Sequence, residues 1–335
     1  MSAVVHENPV ETGGRLPEVA CLHEFWAAHV QGGMPVQQMI ERLLLSTLGL
    51  GNLQTYRFLR SGQPAFAEFE DWIVATAGLP DSNTLSRYHG WLTDLPPSIE
   101  AQAELAEVDA MPPALSEDDL AHWEEHGFVV LHNAITGPEA AALCELVWQQ
   151  AGGRPDEPDS WYSEREGGIM LACYQHPALE AARRSPRVRK AFAQLWGTAN
   201  LFVTIDQLGF NPPEREGHPF AGSDLHWDVS LAAPVPFATQ GVLYLSDTSA
   251  DQGAFRCVPG FHRTIDAWVA GLGSADPRAI DLHDREHYVE GRAGDLVIWH
   301  QALPHGASPN RSDKPRLAQY VNLYSPDMVI RSRWR

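Results

Sequence analysis

Ser223-Asp224-Leu225-His226-Trp227-Asp228-Val229-Ser230 carries a histidine and a carboxylate two positions apart. Read as a β-strand, the stretch sends His226 and Asp228 out of one face, because side chains at i and i+2 point the same way. Both then enter whatever the sheet encloses. One imidazole and one carboxylate leave a metal site incomplete, so a third ligand has to come from elsewhere. The best candidate is His305, which closes the run Gly294-Asp295-Leu296-Val297-Ile298-Trp299-His300-Gln301-Ala302-Leu303-Pro304-His305. Two histidines and one carboxylate on one side of a metal leave the other positions open. That is the arrangement of non-haem iron(II) oxygenases, which hold a co-substrate and dioxygen at the same ion. A structural zinc site is instead closed by four ligands, usually including cysteine.

Working outward, the chain from Leu201 onward is punctuated by Gly, Pro and Asp between short apolar runs. Strands are expected at Leu201–Phe210, Asp224–Leu231, Gly241–Ser246, Gly253–Val258, Asp295–Trp299 and Leu317–Tyr324. Many short strands without long intervening helices predict a mainly β core, an antiparallel sandwich or jelly roll with flanking helices. Ahead of it, Ser116 is a good N-cap with Glu117, Asp118 and Asp119 in the first turn, and Gly127 stops that helix after His126. Phe128 to Leu131 reads as a buried strand, and Pro138–Gln150 and Ser185–Trp196 as helices. Residues 1–95 form a helical N-terminal extension, in which Phe25, Trp26 and Val30, then Met39, Ile40 and Leu43 to Leu45, recur at helical spacing. The Phe66 to Ala77 stretch ends at Gly78-Leu79-Pro80, a stop signal. Residues 96–114, bracketed by Pro96-Pro97 and Pro112-Pro113, read as an acidic, Ala-rich linker with room for a short helix. Residues 115–335 are the catalytic domain. The helical extension is read as a lid over the β core or as the interface of a homodimer.

A formal net charge of −19 over 335 residues argues against nucleic acid and anionic membranes as partners, since both require a basic face. The opening MSAVVHENPVETGG is polar rather than a secretory signal. Cys21, Cys144, Cys173 and Cys257 are scattered and form no C-x-x-C pair, which reads as free thiols in a reducing cytoplasm.

An H-x-D pair alone is weak evidence; its company is what carries weight. The run Leu120-x-x-Trp123-x-x-His126-Gly127-Phe128-Val129-Val130 resembles the opening of the phytanoyl-CoA dioxygenase-like family. So does the later order of His226-x-Asp228, Gly253-Ala254-Phe255, Val258-Pro259-Gly260-Phe261-His262, Gly294-Asp295, His305-Gly306-Ala307-Ser308-Pro309-Asn310 and Pro315-Arg316. The likeness spans residues 115 to 325. It implies a double-stranded β-helix, use of dioxygen and 2-oxoglutarate as co-substrates, and His226, Asp228 and His305 as Fe(II) ligands. It also places Arg316, eleven residues after His305, at the distal carboxylate of 2-oxoglutarate. A guanidinium suits that charge because it offers paired, charge-assisted hydrogen bonds. Arg311, in a turn after Asn310, is the competitor and reads as solvent-facing.

Gln207 is a further candidate donor to 2-oxoglutarate, against a core-edge amide. Tyr244, sixteen residues beyond Asp228, is a candidate co-substrate contact, against a plain core tyrosine. Relatives often carry a hydroxyl two residues after the distal histidine; Ala307 stands there in this chain, so Ser308 or Tyr244 would have to substitute. His262, in its turn, reads as water-exposed rather than as a substrate contact. The implied reaction is hydroxylation of an unactivated C–H bond of a small molecule (a natural product, amino acid or acyl compound), with release of succinate and CO2. Desaturation or cyclisation belongs to the same chemistry. Halogenating relatives have a small residue where Asp228 stands, which favours oxygenation. Two alternatives stay open: a non-catalytic jelly-roll binding protein, and a cupin-like metalloenzyme that does not use 2-oxoglutarate.

Overall fold

The computed structural model describes residues 15–163, 167–331 and 333–335, so the polar opening read above lies outside the described residues. The chain divides into two compact units, one up to Glu104 and one from Leu105 onward. The first contains α1 (Leu22–Val30), α2 (Gln38–Thr47), α3 (Asn52–Gly62), α4 (Phe66–Ala77) and α5 (Ser82–Thr93). Its core is apolar and aromatic: Phe25, Leu43, Leu44, Leu59, Phe69, Ile73 and Tyr88 are buried. Helix α4 ends where Gly78 takes a positive φ of 77°, the stop that the Gly-Leu-Pro signal announces. The proline-bracketed segment 96–114 is mostly a helix, α6 (Ile99–Ala110), and the two units divide inside it rather than at its ends. Its Ala, Glu and Leu are strong helix formers, and the flanking proline pairs set its limits.

In the second unit α7 (Glu117–His126) carries the expected capping box, with Ser116 and Asp119 bonding reciprocally. The chain then runs through β1 (Phe128–Leu131), α8 (Gly137–Ala151), β2 (Met170–Leu171), α9 (Pro177–Arg183), α10 (Pro186–Trp196), β3 (Phe202–Thr204) and β4 (Leu208–Asn211). It continues with β5 (Thr239–Tyr244), β6 (Phe255–Cys257), α11 (Ile265–Gly271), β7 (His287–Val289), β8 (Leu296–His300), β9 (His305–Ala307), β10 (Arg316–Tyr320) and β11 (Asn322–Tyr324). A six-stranded sheet has the order β1-β8-β5-β10-β4-β2, a three-stranded sheet the order β7-β6-β9, and β11 pairs with β3. Every pairing is antiparallel.

Alternation along the strands splits the core in two. Phe128, Val242, Tyr244, Val297, Trp299 and Ala318 leave one face of the large sheet and pack with Phe255, Cys257 and Val289 of the small one. Val129, Leu131, Leu243, Leu296, Ile298 and Leu317 leave the opposite face and pack on Leu143, Val147, Val188 and Phe192 of α8 and α10. The result is helices, large sheet and small sheet in layers, each interface apolar.

Three predicted strands differ from what is observed. Leu201–Phe210 breaks at 205–207, where the buried Arg183 guanidinium takes the Asp206 carbonyl at 2.7 Å. Leu317–Tyr324 breaks at Val321, whose N–H turns to the Gly241 carbonyl at 3.0 Å as the chain leaves β5 for β3. Asp224–Leu231 is not a strand at all; among its residues only His226 forms a bridge, to His305. Arg278 holds the carbonyls of Trp227 at 2.7 Å and Val229 at 2.5 Å, groups a strand would have paired.

The Gly127 and Gly260 turns dock on each other. Gly260 N–H donates to the His126 carbonyl at 2.8 Å, and His300 N–H to the Gly127 carbonyl at 2.8 Å. Gly127 has a φ of +77°, and a Cβ there would lie 2.4 Å from His262 Nδ1. His262 is therefore half-buried against a glycine, not the exposed turn residue that the sequence suggested. Its ring also lies 5.3 Å from that of His300. Gly127→Ala should lose about 1–2 kcal/mol from the left-handed backbone alone, before the clash, seen as a lowered urea midpoint. Burial, with His262 beside it, pushes the His300 imidazole from 6.5 down to about 4. Unfolded chain takes up this proton first, so the stabilisation is complete above pH 6.5 and is lost as pH falls toward 4. Unfolding midpoints across that range should show the loss, and a shallower slope in His300→Asn.

Candidate metal centre

His226 and His305 form a hydrogen-bonded antiparallel pair: each backbone N–H donates to the other's carbonyl at 3.0 Å. Residues directly opposite in such a pair put their side chains on the same face. Their imidazole centroids are 4.8 Å apart. This pairing, rather than a continuous strand through Asp228, is what joins the two distant parts of the chain. Gly306 lets the strand carrying His305 pass close to the 223–224 backbone, since a Cβ there would lie 3.2 Å from the Asp224 carbonyl. Trp227 anchors the intervening residue, its indole N–H donating to the Ala302 carbonyl at 2.9 Å.

Each histidine has one ring nitrogen committed. Nδ1 of His226 donates to the Asp224 carbonyl at 2.6 Å, and Nδ1 of His305 to the Leu303 carbonyl at 3.0 Å. Both Nε2 atoms are thereby turned to the site, where they donate to Asp228 while protonated and offer a lone pair to a metal once that proton leaves. They face Asp228, with His226 Nε2 3.4 Å from one carboxylate oxygen and His305 Nε2 3.2 Å from the other. The three ligand atoms lie within 4.8 Å of one another. Burial raises the Asp228 pKa, but hydrogen bonds from both imidazoles and from Gln240 outweigh it and hold the carboxyl far below its ordinary range. Burial likewise opposes the His226 imidazolium, which Asp228 and the Asp224 carbonyl raise again to above the ordinary histidine value. A carboxylate that stays ionised and two imidazoles whose Nε2 atoms converge on it fit a divalent transition metal, which would take the place of the Nε2 protons.

Several groups behind the ligands escaped the sequence reading. Gln240 donates to Asp228 Oδ2 at 2.6 Å. The buried Arg256 side chain donates to the Asp224 carboxylate at 2.8 Å, to Glu286 at 2.6 Å and to the Ala307 carbonyl at 3.2 Å. It thereby fixes the segment whose carbonyl orients His226. Asp224, His283 and Glu286 also cluster, but Arg256 and internal bonds occupy their oxygens. For Gln240 a signal was available, because counting back in twos from Tyr244 puts it on the inward face. For Arg256 and Arg278 there was none, since their partners lie some thirty to fifty residues away in sequence.

The other predicted residues separate. Arg316 is 1% exposed and its Nε and Nη2 have no hydrogen-bond partner among the described residues. A buried guanidinium left this way is costly unless an anion meets it, and a dicarboxylate would fit. Arg311 is exposed, as expected. Ser308 is buried, and its hydroxyl likewise lacks a partner. Gln207 donates to the Tyr174 hydroxyl at 2.6 Å. Tyr244 is a correction: its hydroxyl donates to the Val289 carbonyl at 2.8 Å and accepts from Phe255 N–H at 2.8 Å. It ties β5 to the small sheet and has no proton left for a co-substrate. The four cysteines are free, and no helix among the described residues is long and apolar enough to cross a membrane.

The sequence pattern of the phytanoyl-CoA dioxygenase (PhyH) family matches residues 123–318. An ectoine dioxygenase of Bordetella parapertussis is 25% identical over 240 residues, covering 65% of this chain and 78% of that protein. A putative phytanoyl-CoA dioxygenase of Dictyostelium discoideum is 27% identical over 268 residues, covering 64% of this chain and 76% of that protein. Among solved structures, the non-heme alpha ketoglutarate dependent carbocyclase SnoK from nogalamycin biosynthesis aligns with a TM-score of 0.47 and 22% identity, over 66% of this chain and 90% of that one. The family match takes in all three converging side chains and Arg316, and this chain belongs to the phytanoyl-CoA dioxygenase family of iron- and 2-oxoglutarate-dependent dioxygenases.

Proposed function

We propose that the protein hydroxylates an unactivated C–H bond of a small organic molecule, in a pocket between two sheets that form a double-stranded β-helix. The observation that carries this reading is the convergence of two imidazole Nε2 atoms and one ionised carboxylate within 4.8 Å. When bound, Fe(II) with 2-oxoglutarate and dioxygen supplies the oxidising power, releasing succinate and CO2.

The protein's own part is binding, orientation and exclusion of water. His226, Asp228 and His305 would hold the metal, and with three protein ligands it would keep further positions for co-substrate and dioxygen. Arg316 receives the far carboxylate of 2-oxoglutarate through its unpaired Nε and Nη2. Ser308, buried with a free hydroxyl, is the candidate for a further bond to that carboxylate. Gln207 lies in the break between β3 and β4, with its amide engaged by Tyr174; it is proposed to reach the co-substrate through the remaining amide oxygen. An aspartate at position 228 completes the ligand set with an oxygen, which supports oxygenation over halogenation. The bound small molecule is the only partner this reading requires.

Replacing Asp228 by alanine should weaken Fe(II) binding by about a hundredfold or more and abolish 2-oxoglutarate-dependent succinate release, with the circular dichroism spectrum unchanged. Succinate release equal to wild type would overturn the iron reading. Arg316→Leu should raise the KM for 2-oxoglutarate by about 10- to 100-fold, the value of one or two charge-assisted bonds, with little change in Fe(II) affinity. Because it removes a buried unpaired charge, the variant should melt no lower than wild type without 2-oxoglutarate. Only wild type should gain thermal stability when 2-oxoglutarate and metal are added.

A further inference from the structure

Gln240 uses both ends of its amide. Nε2 donates to Asp228 Oδ2 at 2.6 Å, while Oε1 accepts from the indole N–H of Trp299 at 3.2 Å. The register makes this possible, because Gln240 lies directly opposite Trp299 in the β5–β8 pair, and opposed residues share a face. Trp299 in turn lies against His305, with ring centroids 5.0 Å apart, and against Phe255 at 4.4 Å. A continuous path of contacts therefore runs from one metal-binding side chain, Asp228, through Gln240 and Trp299 to another, His305.

The chemistry of the three groups leaves little choice of residue. An indole N–H can only donate and an ionised carboxylate can only accept. A side chain that joins them must present an acceptor to the first and a donor to the second, two bonds apart on one rigid plane. A carboxamide does this, and the indole decides which way round it sits: Oε1 is taken, so the NH2 group must face Asp228. A leucine would satisfy neither partner, and a glutamate would set a second negative charge against the first.

We propose that Gln240 and Trp299 are positioning residues, a brace that keeps one oxygen of Asp228 engaged so that the carboxylate offers the metal only the other. The inference rests on the iron-centre reading above. A carboxylate free to chelate with both oxygens would occupy a position that the co-substrate and dioxygen need. Trp299 lends the brace stiffness, since its ring is itself fixed between Phe255 and His305.

Co(II), which occupies such sites and reports ligand number through its visible absorption, is the probe, with anaerobic Fe(II) binding alongside. Gln240→Leu should bind Co(II) about tenfold more weakly, the usual cost of losing a group that orients a ligand, and its visible bands should shift toward higher coordination. Trp299→Phe keeps a ring against His305 but removes the N–H, and should show the same change to a smaller degree. Because the two act through one another, the double variant should be no worse than Gln240→Leu alone. Melting curves of the metal-free proteins control for folding; if Gln240→Leu does not fold, Trp299→Phe carries the test. Unchanged Co(II) affinity and spectrum in the single variants would overturn the brace, and so would strictly additive losses in the double variant. Failure of wild type itself to bind Co(II) or Fe(II) would instead remove the iron centre, and the brace with it.

Discussion

Two backbone hydrogen bonds between His226 and His305 hold this site together. They join segments nearly eighty residues apart and put the two imidazoles on one face without any help from the side chains. The bonded backbone sets where each Cβ points, and only the two side-chain torsions of each histidine remain to be fixed. The carbonyls of Asp224 and Leu303 finish the task by taking the two Nδ1 protons. Everything further out in the site supports this pair: Arg278 draws the chain out of strand geometry just after His226, and Arg256 pins the residues just before it.

The second constraint is electrostatic. The site sets an ionised, half-exposed carboxylate beside two imidazoles that bond to it, and buries elsewhere on the inward side a guanidinium whose Nε and Nη2 have no partner among the described residues. That guanidinium does not favour the folded chain by itself, because a buried charge stabilises only when it is met. The apolar cores on both faces of the large sheet carry that burden. A site built from partly satisfied polar groups inside a well-packed shell is what a protein that binds a metal and a dicarboxylate needs. The ligands complete the bonds that folding leaves open.

The docking of the Gly127 turn against the Gly260 turn ties His126-Gly127-Phe128 to Pro259-Gly260-Phe261-His262. The first glycine must accept a positive φ and must carry no Cβ, because His262 of the second motif lies where that carbon would be. Neither motif touches the three metal-binding side chains. Their chemistry is that of a joint between the first strand and the small sheet, and the spectator histidines there, His262 and His300, are held neutral by burial.

Local signals were legible in the sequence wherever the physics is local. Ser116 with Asp119, Gly127 and Gly78 mark helix ends because a cap or a positive φ depends on a residue and its near neighbours. The short apolar run from Leu296 to Trp299 marks a strand for the same reason, and the residue types of His226, Asp228 and His305 specify a metal-binding chemistry. The sequence could not say that 224–231 leaves strand geometry, because the cause is Arg278, some fifty residues further on. Nor could it say that the Tyr244 hydroxyl is spent on two backbone groups of the opposite sheet, or that the Gln207 amide is engaged by the Tyr174 hydroxyl. Residue identity and short-range pattern determine which groups are available and where helices and strands begin. Which groups meet is decided by packing between sheets and by long-range pairing, whose energy belongs to contacts that no stretch of chain contains by itself.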